Sequence, residues 1–410
     1  MNSPDISEER LLADINKDLP PGIDWKQGAK TYLSEVFQQQ RPEQKSYLYT
    51  KPFAVLGGGP EDISHKTFAD LMQNFINLFS LLALPGGSRV LDVACGSGWI
   101  SQFLTKLGYD VVGIDIAPDM IDTARERVKG DQLVPKTPEE IDRMFVTHDI
   151  EADSLQLARP VDAAILESCL HHFLDPVSAL RNIREALAPN GIVLILEGEC
   201  RTGPLKAEYT DAMDRYHTIE RPYTRNQLTR IMDLAGLPFH EFFCPVNGWY
   251  SPRAPETGAL PLAVEAVSKT INKCVCAPTE ASLKRILPWW QSEAALHFVE
   301  GFSPGAGSKL WVAPYGRIRV RQPLRTLALQ VATVIPATSG APQNVSLYGH
   351  GDPQKFCFHP LGSDSVVIEM NQVPRRAELI LCSDAAFSPA WSGSNDLRIL
   401  SFSVEVLRLA

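Results

Sequence analysis

The 410-residue sequence lacks any run of about 18 consecutive apolar residues, the length that a membrane-spanning helix requires. It also lacks the pattern of a targeting segment, because its N-terminal stretch MNSPDISEERLLADINKDLPPG is acidic and polar. We therefore expect no membrane span and a cytoplasmic location.

Paired cysteine motifs and an excess of positive charge are also missing. The eight cysteines are scattered without a Cys-x-x-Cys pair, and Cys274 and Cys276 stand too close together for an ordinary pair of zinc ligands. We therefore expect reduced thiols and no metal site. The formal net charge of −9 argues against a surface that binds nucleic acid.

What the sequence does contain is an alternation of strand-like and helical segments. Helical patterns cover about 98–107, 118–129 and 176–187. Strand and helix in this rhythm are typical of a parallel sheet with right-handed crossovers, so we predict an α/β fold with a doubly wound sheet. Short β-branched runs predict its first five strands at Arg89–Val93, Asp110–Asp115, Met144–His148, Val161–Leu166 and Ile192–Glu197.

Two further strands complete a predicted sheet of seven strands, mostly parallel. HEFFCP (240–245) predicts the sixth strand and KLWVAP (309–314) the seventh. The stretch between these two strands, at about 246–307, is a long insertion, and an insertion of such length between adjacent strands is usually functional. Helical patterns near 261–273 and 279–287 predict that it forms a helical cap. Its aromatic residues could stack on an acceptor or form the core of the cap: Trp249, Tyr250, Trp289 and Trp290.

The composition changes near residue 317, where the pattern alternates with period two. Short strands then follow between clusters of Gly, Pro, Ser and Asn, without any helical pattern. This predicts a small C-terminal all-β sandwich at 317–410. The α/β domain would then cover 1–316, with N-terminal helices within 1–84.

The most informative motif is VLDVACGSGWIS, in which a buried strand leads through Gly96 and Gly98 into a helix. Glycines at this place let the backbone approach a ligand at the carboxyl edge of the sheet. Asp115 ends the next strand, where a carboxylate can accept hydrogen bonds from both hydroxyls of a ribose.

A nicotinamide or flavin dinucleotide is the rival ligand for this motif. Position 101 is Ser, where the dinucleotide motif has Gly or Ala, and Asp92 lies near the end of the first strand. A carboxylate there would repel a pyrophosphate but suits an ammonium group. The pattern therefore favours a zwitterion joined to a ribose, with strand-end capping as the alternative role of Asp92 and Asp115.

VLDVACGSGWIS followed by GYDVVGIDIAPDMIDTAR resembles the first two motifs of the class I S-adenosylmethionine-dependent methyltransferase family. The resemblance covers about 85–245 and continues through THDI (147–150), ESCLHHF (167–173) and LAPNGIVLILEGE. It implies a Rossmann-like seven-stranded sheet, methyl transfer as the activity and S-adenosylmethionine as the cofactor.

The resemblance also implies a role for each matching position. Gly96 and Gly98, with Ala94, would line the methionine end of the cofactor, and Asp92 would contact its ammonium group. Asp115 would take the ribose hydroxyls. Ile116 and Met120 would lie against the adenine, although these two could instead be core residues. Asp149 and Ile150 would lie at the amino edge of the adenine. Glu167 and Ser168 would lie beneath the sulfonium.

Candidates for a general base follow the fourth and fifth strands. A histidine suits such work near neutral pH, and His171 and His172 would lie at the mouth of the cofactor pocket. Adjacent residues do not normally both face one site, so the alternative is that this pair only shapes the loop. The rival candidates are Glu197, Glu199 and His217.

The acceptor is indicated only by the C-terminal part of the chain. The stretch FSPAWSGSNDLRILSFSV (387–404) resembles small β-sandwich domains appended to bacterial enzymes of polysaccharide biosynthesis, although it has Leu400-Ser401 where that pattern has Leu-Gly. This implies a hydroxyl of a glycan or glycosylated metabolite as the acceptor. The alternatives are a small-molecule natural product methylated at O, N or C, and a carbohydrate-binding protein on a degenerate scaffold. A homo-oligomer is left open.

Overall fold

The computed structural model of the chain describes residues 7–39, 51–53, 63–82, 84–134, 136–197, 201, 204–243, 273–286, 295–304, 309–333, 343–349, 354–358, 365–375, 377–383 and 402–410. These residues fall into two compact units. The first lies within 1–245 and 269–288, and the second within 246–268 and 289–410.

The first unit is a sheet with helices packed on it. Its strands β1 to β7 are Arg89–Val93, Asp110–Asp115, Phe145–Thr147, Val161–Glu167, Leu187–Leu196, Phe239–Phe243 and Lys273–Ala277. Its helices α1 to α10 are Glu8–Asn16, Trp25–Gln39, Ile63–Leu82, Trp99–Lys106, Pro118–Lys129, Pro138–Met144, Pro176–Ala186, Ala207–Tyr216, Arg225–Leu234 and Glu280–Ile286. A short 3₁₀ turn at Leu170–His172 follows β4.

The strand order in this sheet is β3-β2-β1-β4-β5-β7-β6. Neighbours from β3 to β5 pair in parallel, whereas β7 pairs antiparallel with both β5 and β6. This confirms the predicted class of a doubly wound, seven-stranded, mostly parallel sheet. The chain builds outward in opposite directions from β1 and from β4, so these two neighbours form the topological switch point.

The central strands read as nearly continuous apolar runs because both faces of a parallel sheet are covered by helices. Residues Ala163–Leu166 of β4 and Ile192–Ile195 of β5 are all fully buried. Capping residues fix where several helices begin. Thr137 and Thr224 each accept a hydrogen bond from the third backbone N–H of their helix and form capping boxes with Glu140 and Gln227.

The seventh strand lies at Lys273–Ala277, so its predicted position at 309–314 is wrong. The segment KCVCA is short, and it directly follows the helical pattern predicted for 261–273, so the sequence did not predict it as a strand. Residues 261–272 lie outside the described ranges. Residues 309–314 instead open a longer alternating segment that continues to Val320 without a break. That strand, Leu310–Val320, belongs to the second unit.

The second unit is an antiparallel β structure. Its strands β8 to β15 are Leu296–Pro304, Leu310–Val320, Leu324–Thr333, Gln343–Tyr348, Gln354–Phe358, Ser365–Val373, Glu378–Ser383 and Phe402–Leu409. The predicted helical cap at 246–307 therefore ends in a strand, β8, and the predicted domain boundary at 317 falls inside β9. Within the described ranges no helix combines the length and the apolarity that crossing a membrane requires.

Strand β9 joins two groups of strands in this unit. Its first part pairs with β15, which leads to β10 and β13, and its second part pairs with β14, which leads to β11 and β12. All eight strands thereby belong to one hydrogen-bonded sheet, in which β8 also pairs with β9. Apolar side chains of both groups share one core, including Leu327, Leu329, Val345 and Leu379.

Candidate active site

A cavity of about 450 Å³ opens at the carboxyl edge of the first sheet, around the switch point between β1 and β4. Open α/β sheets bind ligands in such a crevice because the loops leaving neighbouring strands diverge there. The walls come from the loops after β1, β2, β3 and β4, from residues 218–220 and from helix α2.

The loop after β1 contains three residues with positive φ: Ala94 (51°), Gly96 (53°) and Gly98 (72°). Ala94 and Gly96 line the cavity, and a Cβ added to Gly96 would meet no atom within 4 Å. A Cβ on Gly98 would lie 2.7 Å from the Cβ of Ala124. Gly96 thus leaves room for a ligand, whereas Gly98 lies outside the cavity lining and lets α4 begin close to α5.

Asp115, at the end of β2, ties two loops together through its carboxylate. Oδ2 accepts a hydrogen bond from the backbone N–H of Gly96 at 2.8 Å, and Oδ1 accepts one from Ala117 at 2.9 Å. Burial raises the pKa of Asp115, and these two N–H donors partly oppose the rise. The carboxylate lines the cavity beside the glycine loop, where a ribose-binding acid was expected.

Asp92 lies beneath this loop and is only 2% exposed. Its Oδ2 accepts a hydrogen bond from the Ser101 hydroxyl at 2.6 Å. Burial raises the pKa of Asp92 to about 7, against the effect of Ser101 and with help from the charge of Glu167. Ser101, where a dinucleotide motif has a small apolar residue, is therefore the partner of this carboxylate. A cationic ligand group placed here would favour its charged form.

The residues predicted for the adenine line the next part of the cavity. Ile116, Met120, Asp149 and Ile150 all contribute to its wall. Met120 is 7% exposed and packs with Ala117 and Leu33 as a core residue does, so its contact with the adenine stays a prediction. The Asp149 carboxylate accepts a hydrogen bond from the backbone N–H of Glu151 at 3.2 Å.

Helix α2 covers this part of the cavity, and the sequence did not predict this role for the helix. Trp25, Lys26, Ala29 and Tyr32 line the cavity at spacings of three and four, as one face of a helix requires. The ammonium of Lys26 donates to Oδ2 of Asp149 at 2.6 Å. The sequence predicted N-terminal helices within 1–84, but it did not predict a contact between residues so far apart along the chain.

The loop after β4 begins with a strained residue. Ser168 has a φ of 51°, which is unusual for a side chain larger than glycine, and its backbone N–H donates to Leu196 at 2.7 Å. Its hydroxyl donates to Oε1 of Glu167 at 3.2 Å. Both residues line the cavity, next to the loop after β1.

The two histidines after this loop have different surroundings. Nδ1 of His171 lies 2.5 Å from Oε2 of Glu197, and its Nε2 lies 3.5 Å from Oε2 of Glu220. Burial alone would lower the pKa of His171, but the two carboxylates outweigh it and raise the pKa to about 10. His171 does not reach the cavity wall.

His172 does line the cavity, and its side chain is 36% exposed. Its Nδ1 lies 2.5 Å from the backbone carbonyl oxygen of Ile219. Burial and the positive charge of His171 lower the pKa of His172, and the charge of Glu220 partly opposes them. His172 is therefore the neutral member of the pair at neutral pH.

The structure places the other candidates for the general base at different positions. Glu197 contacts His171 and also accepts a hydrogen bond from the backbone N–H of Leu170 at 2.9 Å. His217 is exposed at the end of α8, outside the cavity lining. Glu199 lies outside the described residues. Glu220, which sequence reasoning did not select, contacts both histidines and lines the cavity.

One group in the described part of the chain has the residue types and spacing of a metal site. One ligand atom each of His171, His172 and Glu220 lies within 4.8 Å of the others. The sequence predicted no metal site because it shows no metal-ligand pattern such as paired cysteines, and Glu220 is distant in the chain from the two histidines. That expectation stays a prediction.

The donor set around the glycine loop fits S-adenosylmethionine. The open α-carbon of Gly96 leaves space for the methionine part, and the buried Asp92 carboxylate would repel a pyrophosphate but attract an ammonium group. Asp115 presents its carboxylate beside the loop for the ribose. The fold and this site together define the class I, S-adenosylmethionine-dependent methyltransferases.

Comparisons with known proteins agree with this class. Residues 64–241 match the family described as "Methyltransferase domain". The ubiquinone biosynthesis O-methyltransferase of Xanthomonas axonopodis pv. citri is 30% identical over 107 residues, which cover 26% of this chain and 41% of that protein. The S-adenosyl-L-methionine-dependent Diels-Alderase iccD of Talaromyces variabilis is 29% identical over 194 residues, which cover 47% of this chain and 60% of that protein.

A solved structure of geranyl diphosphate C-methyltransferase from Streptomyces coelicolor A3(2) is 14% identical, with a TM-score of 0.42 over 63% of this chain and 98% of that one. The chain spans about half the length of the curated relatives it matches. The family match shows that residues 64–241 contain a methyltransferase domain, and the cofactor of such a domain is S-adenosylmethionine.

Proposed function

We propose that this protein transfers the methyl group of S-adenosylmethionine to a hydroxyl group of a small-molecule acceptor. A single observation carries the proposal. One cavity contains the residues suited to the cofactor, Asp92, Gly96 and Asp115, and also His172, which follows β4, and Glu220, which follows α8. A cofactor bound by the first three residues would therefore lie in the same cavity as an acceptor that contacts His172 and Glu220.

The cofactor supplies a methyl group on a positively charged sulfur, which is an excellent leaving group. The chain's own residues then have to hold the acceptor in line with that methyl group, which contributes on the order of 7–11 kcal/mol to such reactions. Glu167 and Ser168 lie on the strand end between the glycine loop and the histidines. Helix α2 would exclude water from the cofactor through Trp25 and Tyr32.

The named relatives support a small organic acceptor, since one is an O-methyltransferase of ubiquinone biosynthesis and the other a Diels-Alderase that depends on the same cofactor. A glycosylated acceptor is the narrower form of the proposal. It depends on the stretch 387–404, whose residues 387–401 lie outside the described ranges. The complete set of Asp92, Gly96 and Asp115 favours an enzyme over a carbohydrate-binding protein on a degenerate scaffold.

Calorimetric titration of the purified protein with S-adenosylhomocysteine tests the cofactor part. We expect binding that Asp115→Ala abolishes, because this carboxylate also orders the glycine loop through Gly96. Asp122→Ala is the matched control, because it removes an equal charge from an exposed position on α5. NAD should give no heat of binding. Binding of NAD in place of S-adenosylhomocysteine would overturn the proposal.

A screen with radiolabelled S-adenosylmethionine tests the acceptor part. Matched panels of phenols, alcohols, amines and thiols, each free and glycosylated, are incubated with the protein, and transferred label is counted. Transfer to hydroxyl compounds supports the proposal, and preference for the glycosylated members supports its narrower form. Transfer to amines or thiols alone contradicts it.

A further inference from the structure

S-adenosylmethionine carries three charged groups, and the cavity has to accommodate all of them. Its sulfonium and its ammonium are positive, whereas the carboxylate of its methionine part is negative. The described residues that line the cavity include six carboxylates: Asp92, Asp115, Asp149, Glu151, Glu167 and Glu220. These acids suit the two cationic groups of the cofactor, but they would repel its carboxylate. The cavity therefore needs a cation for that third group.

Two lysines and no arginine line the cavity within the described part of the chain. The ammonium of Lys26 is already paired, because it lies 2.6 Å from Oδ2 of Asp149 and 3.9 Å from Oε2 of Glu151. The ammonium of Lys51 forms no ion pair with any described residue and contacts only an aromatic ring. Lys51 is therefore the lysine whose charge is available to a ligand.

The backbone of Lys51 is held directly beside the glycine loop. Arg127, on α5, donates from its guanidinium to the carbonyl oxygen of Lys51 at 2.7 Å and from Nε to that of Ser97 at 2.9 Å. Because one planar guanidinium binds both oxygens, the two residues are neighbours. The ring of Phe53 stacks on that of Phe68 with 5.7 Å between the centroids, which fixes the same segment on α3. The fold thus places Lys51 at the loop expected to hold the methionine part.

The ammonium of Lys51 lies over a residue of the cavity wall. Its Nζ is 5.6 Å from the ring centroid of Trp99, a residue that is 3% exposed. Trp99 lines the cavity together with Gly96 and Ser97. It is also the first residue of α4, so the partial positive charge at the N-terminus of that helix adds to the charge of Lys51. An anionic ligand group beside the loop would be attracted by both.

Asp92 and Lys51 border the glycine loop with opposite charges. The Asp92 carboxylate lies beneath the loop, where it accepts a hydrogen bond from Ser101 at 2.6 Å, and Lys51 lies beside Ser97. In the methionine part of the cofactor, the ammonium and the carboxylate are attached to one carbon atom. A ligand that places its ammonium at Asp92 therefore has its carboxylate in the same part of the cavity, where Lys51 supplies the cation.

We propose that the ammonium of Lys51 binds the carboxylate of the methionine part of S-adenosylmethionine. This inference rests on the cofactor of the proposed function and adds a subsite for one of its groups. It also gives the site a selectivity. Decarboxylated S-adenosylmethionine, and nucleosides without the amino-acid end, would leave Lys51 unpaired in the cavity and would bind more weakly.

Two ligands that differ only in the carboxylate test the subsite: S-adenosylhomocysteine and its decarboxylated analogue. Calorimetric titration of the full chain with S-adenosylhomocysteine should show about 10–100-fold weaker binding to Lys51→Met than to the wild type, because a hydrogen bond between two charged groups is lost. The decarboxylated analogue should bind the variant no more weakly than the wild type. Lys51→Arg keeps the charge and should retain the preference for S-adenosylhomocysteine.

Two further variants separate this role from a structural one. Lys30→Met removes an equal charge at an exposed position on α2 and should leave the affinity for both ligands unchanged. Asp92→Asn removes the partner of the ammonium, which both ligands possess, and should therefore weaken both. The hydrogen bond from Arg127 reaches the backbone of residue 51, and methionine preserves the apolar stem of lysine, so denaturation curves of Lys51→Met should match those of the wild type.

Kinetics with an acceptor from the screen give a second measurement. Lys51→Met should raise KM for S-adenosylmethionine by about the same factor as it weakens binding, with little change in kcat or in KM for the acceptor. The reason is that the carboxylate keeps its charge throughout methyl transfer, so its ion pair stabilises the bound substrate and the transition state alike.

Equal weakening of both ligands in Lys51→Met would overturn the inference, since Lys51 would then act on the structure of the site. Unchanged binding of S-adenosylhomocysteine, or a raised KM for the acceptor instead, would also overturn it, since the charge would then serve another group. If the wild type binds no S-adenosylhomocysteine, the proposed function fails together with this inference. Binding that does not depend on Lys51 removes the inference alone.

Discussion

Gly96 and Gly98 are separated by one residue and share a left-handed backbone, yet only Gly96 has open space where a side chain would begin. Gly98 faces the Cβ of Ala124 and the ring of Phe145. The same short motif therefore contains one glycine kept free for a ligand and one required for packing.

Alanine at these two glycines should separate binding from stability. Both variants incur about 1–2 kcal/mol of backbone strain at a positive φ. Gly98→Ala should lose about 1–3 kcal/mol more through overpacking against Ala124, whereas Gly96→Ala should lose little more stability but bind S-adenosylhomocysteine at least about tenfold more weakly. Chemical denaturation and calorimetry measure the two effects. Equal losses of stability in the two variants would contradict this assignment.

Asp92 should make the stability of the folded protein depend on pH. Because burial raises its pKa to about 7, the folded protein retains a proton that the unfolded chain has lost above about pH 4. Its contribution to stability is therefore greatest below pH 4 and falls as pH rises towards 7. Asp92→Asn should remove this fall, which denaturation curves at pH 5, 6, 7 and 8 would measure.

Ligand binding should reverse the protonation of Asp92. An ammonium group beside the carboxylate favours its charged form, so S-adenosylhomocysteine should release up to one proton on binding at pH 6. Calorimetry in two buffers of different ionisation enthalpy counts the protons released. Asp92→Asn should abolish the release, and Asp122→Asn, at an exposed position, should not. Equal release from the Asp92 variant and the wild type would contradict the assignment.

Lys26 should slow dissociation of the cofactor. Its ammonium joins α2 to Asp149, and both side chains are partly exposed, 36% and 21%. Such a pair contributes about 1 kcal/mol or less, so Lys26→Met should raise the dissociation rate of S-adenosylhomocysteine by up to about fivefold. Stopped-flow fluorescence of Trp25 would follow it. Lys30→Met, at an exposed site on the same helix, should leave the rate unchanged; an equal acceleration there would exclude a specific effect of Lys26.

Arg221 should stabilise the loop that carries the histidines. It is 2% exposed and donates hydrogen bonds to the carbonyl of Phe173, the side chain of Asn16 and the hydroxyl of Tyr223. Arg221→Met leaves these buried acceptors without their donor and should cost about 2–4 kcal/mol of unfolding free energy. Thermal unfolding measures the loss. Arg143→Met, on the exposed side of α6, should change stability by less than about 0.5 kcal/mol.

Much of the cofactor site could be predicted because its residues follow strands whose carboxyl ends must meet at one edge. The positions of Asp92, Gly96 and Asp115 at this edge follow from the strand order and from the right-handed crossovers alone. The different roles of His171 and His172 could not be predicted, because they depend on Glu197 and Glu220, which reach them from other parts of the chain. Strand β7 was missed because a lysine followed by four apolar residues carries too little periodicity to distinguish a strand from a buried helical turn.

The position of β7 between β5 and β6 has a consequence for how this enzyme class can diversify. Lys273 pairs with Leu196 on one side and with Phe243 on the other, so β6 ends and β7 begins at the same edge of the sheet as the cavity. Phe243 and Lys273 therefore both lie at that edge. Insertions and deletions in the sequence between them can accumulate during evolution without shifting the register of any strand that carries the cofactor residues.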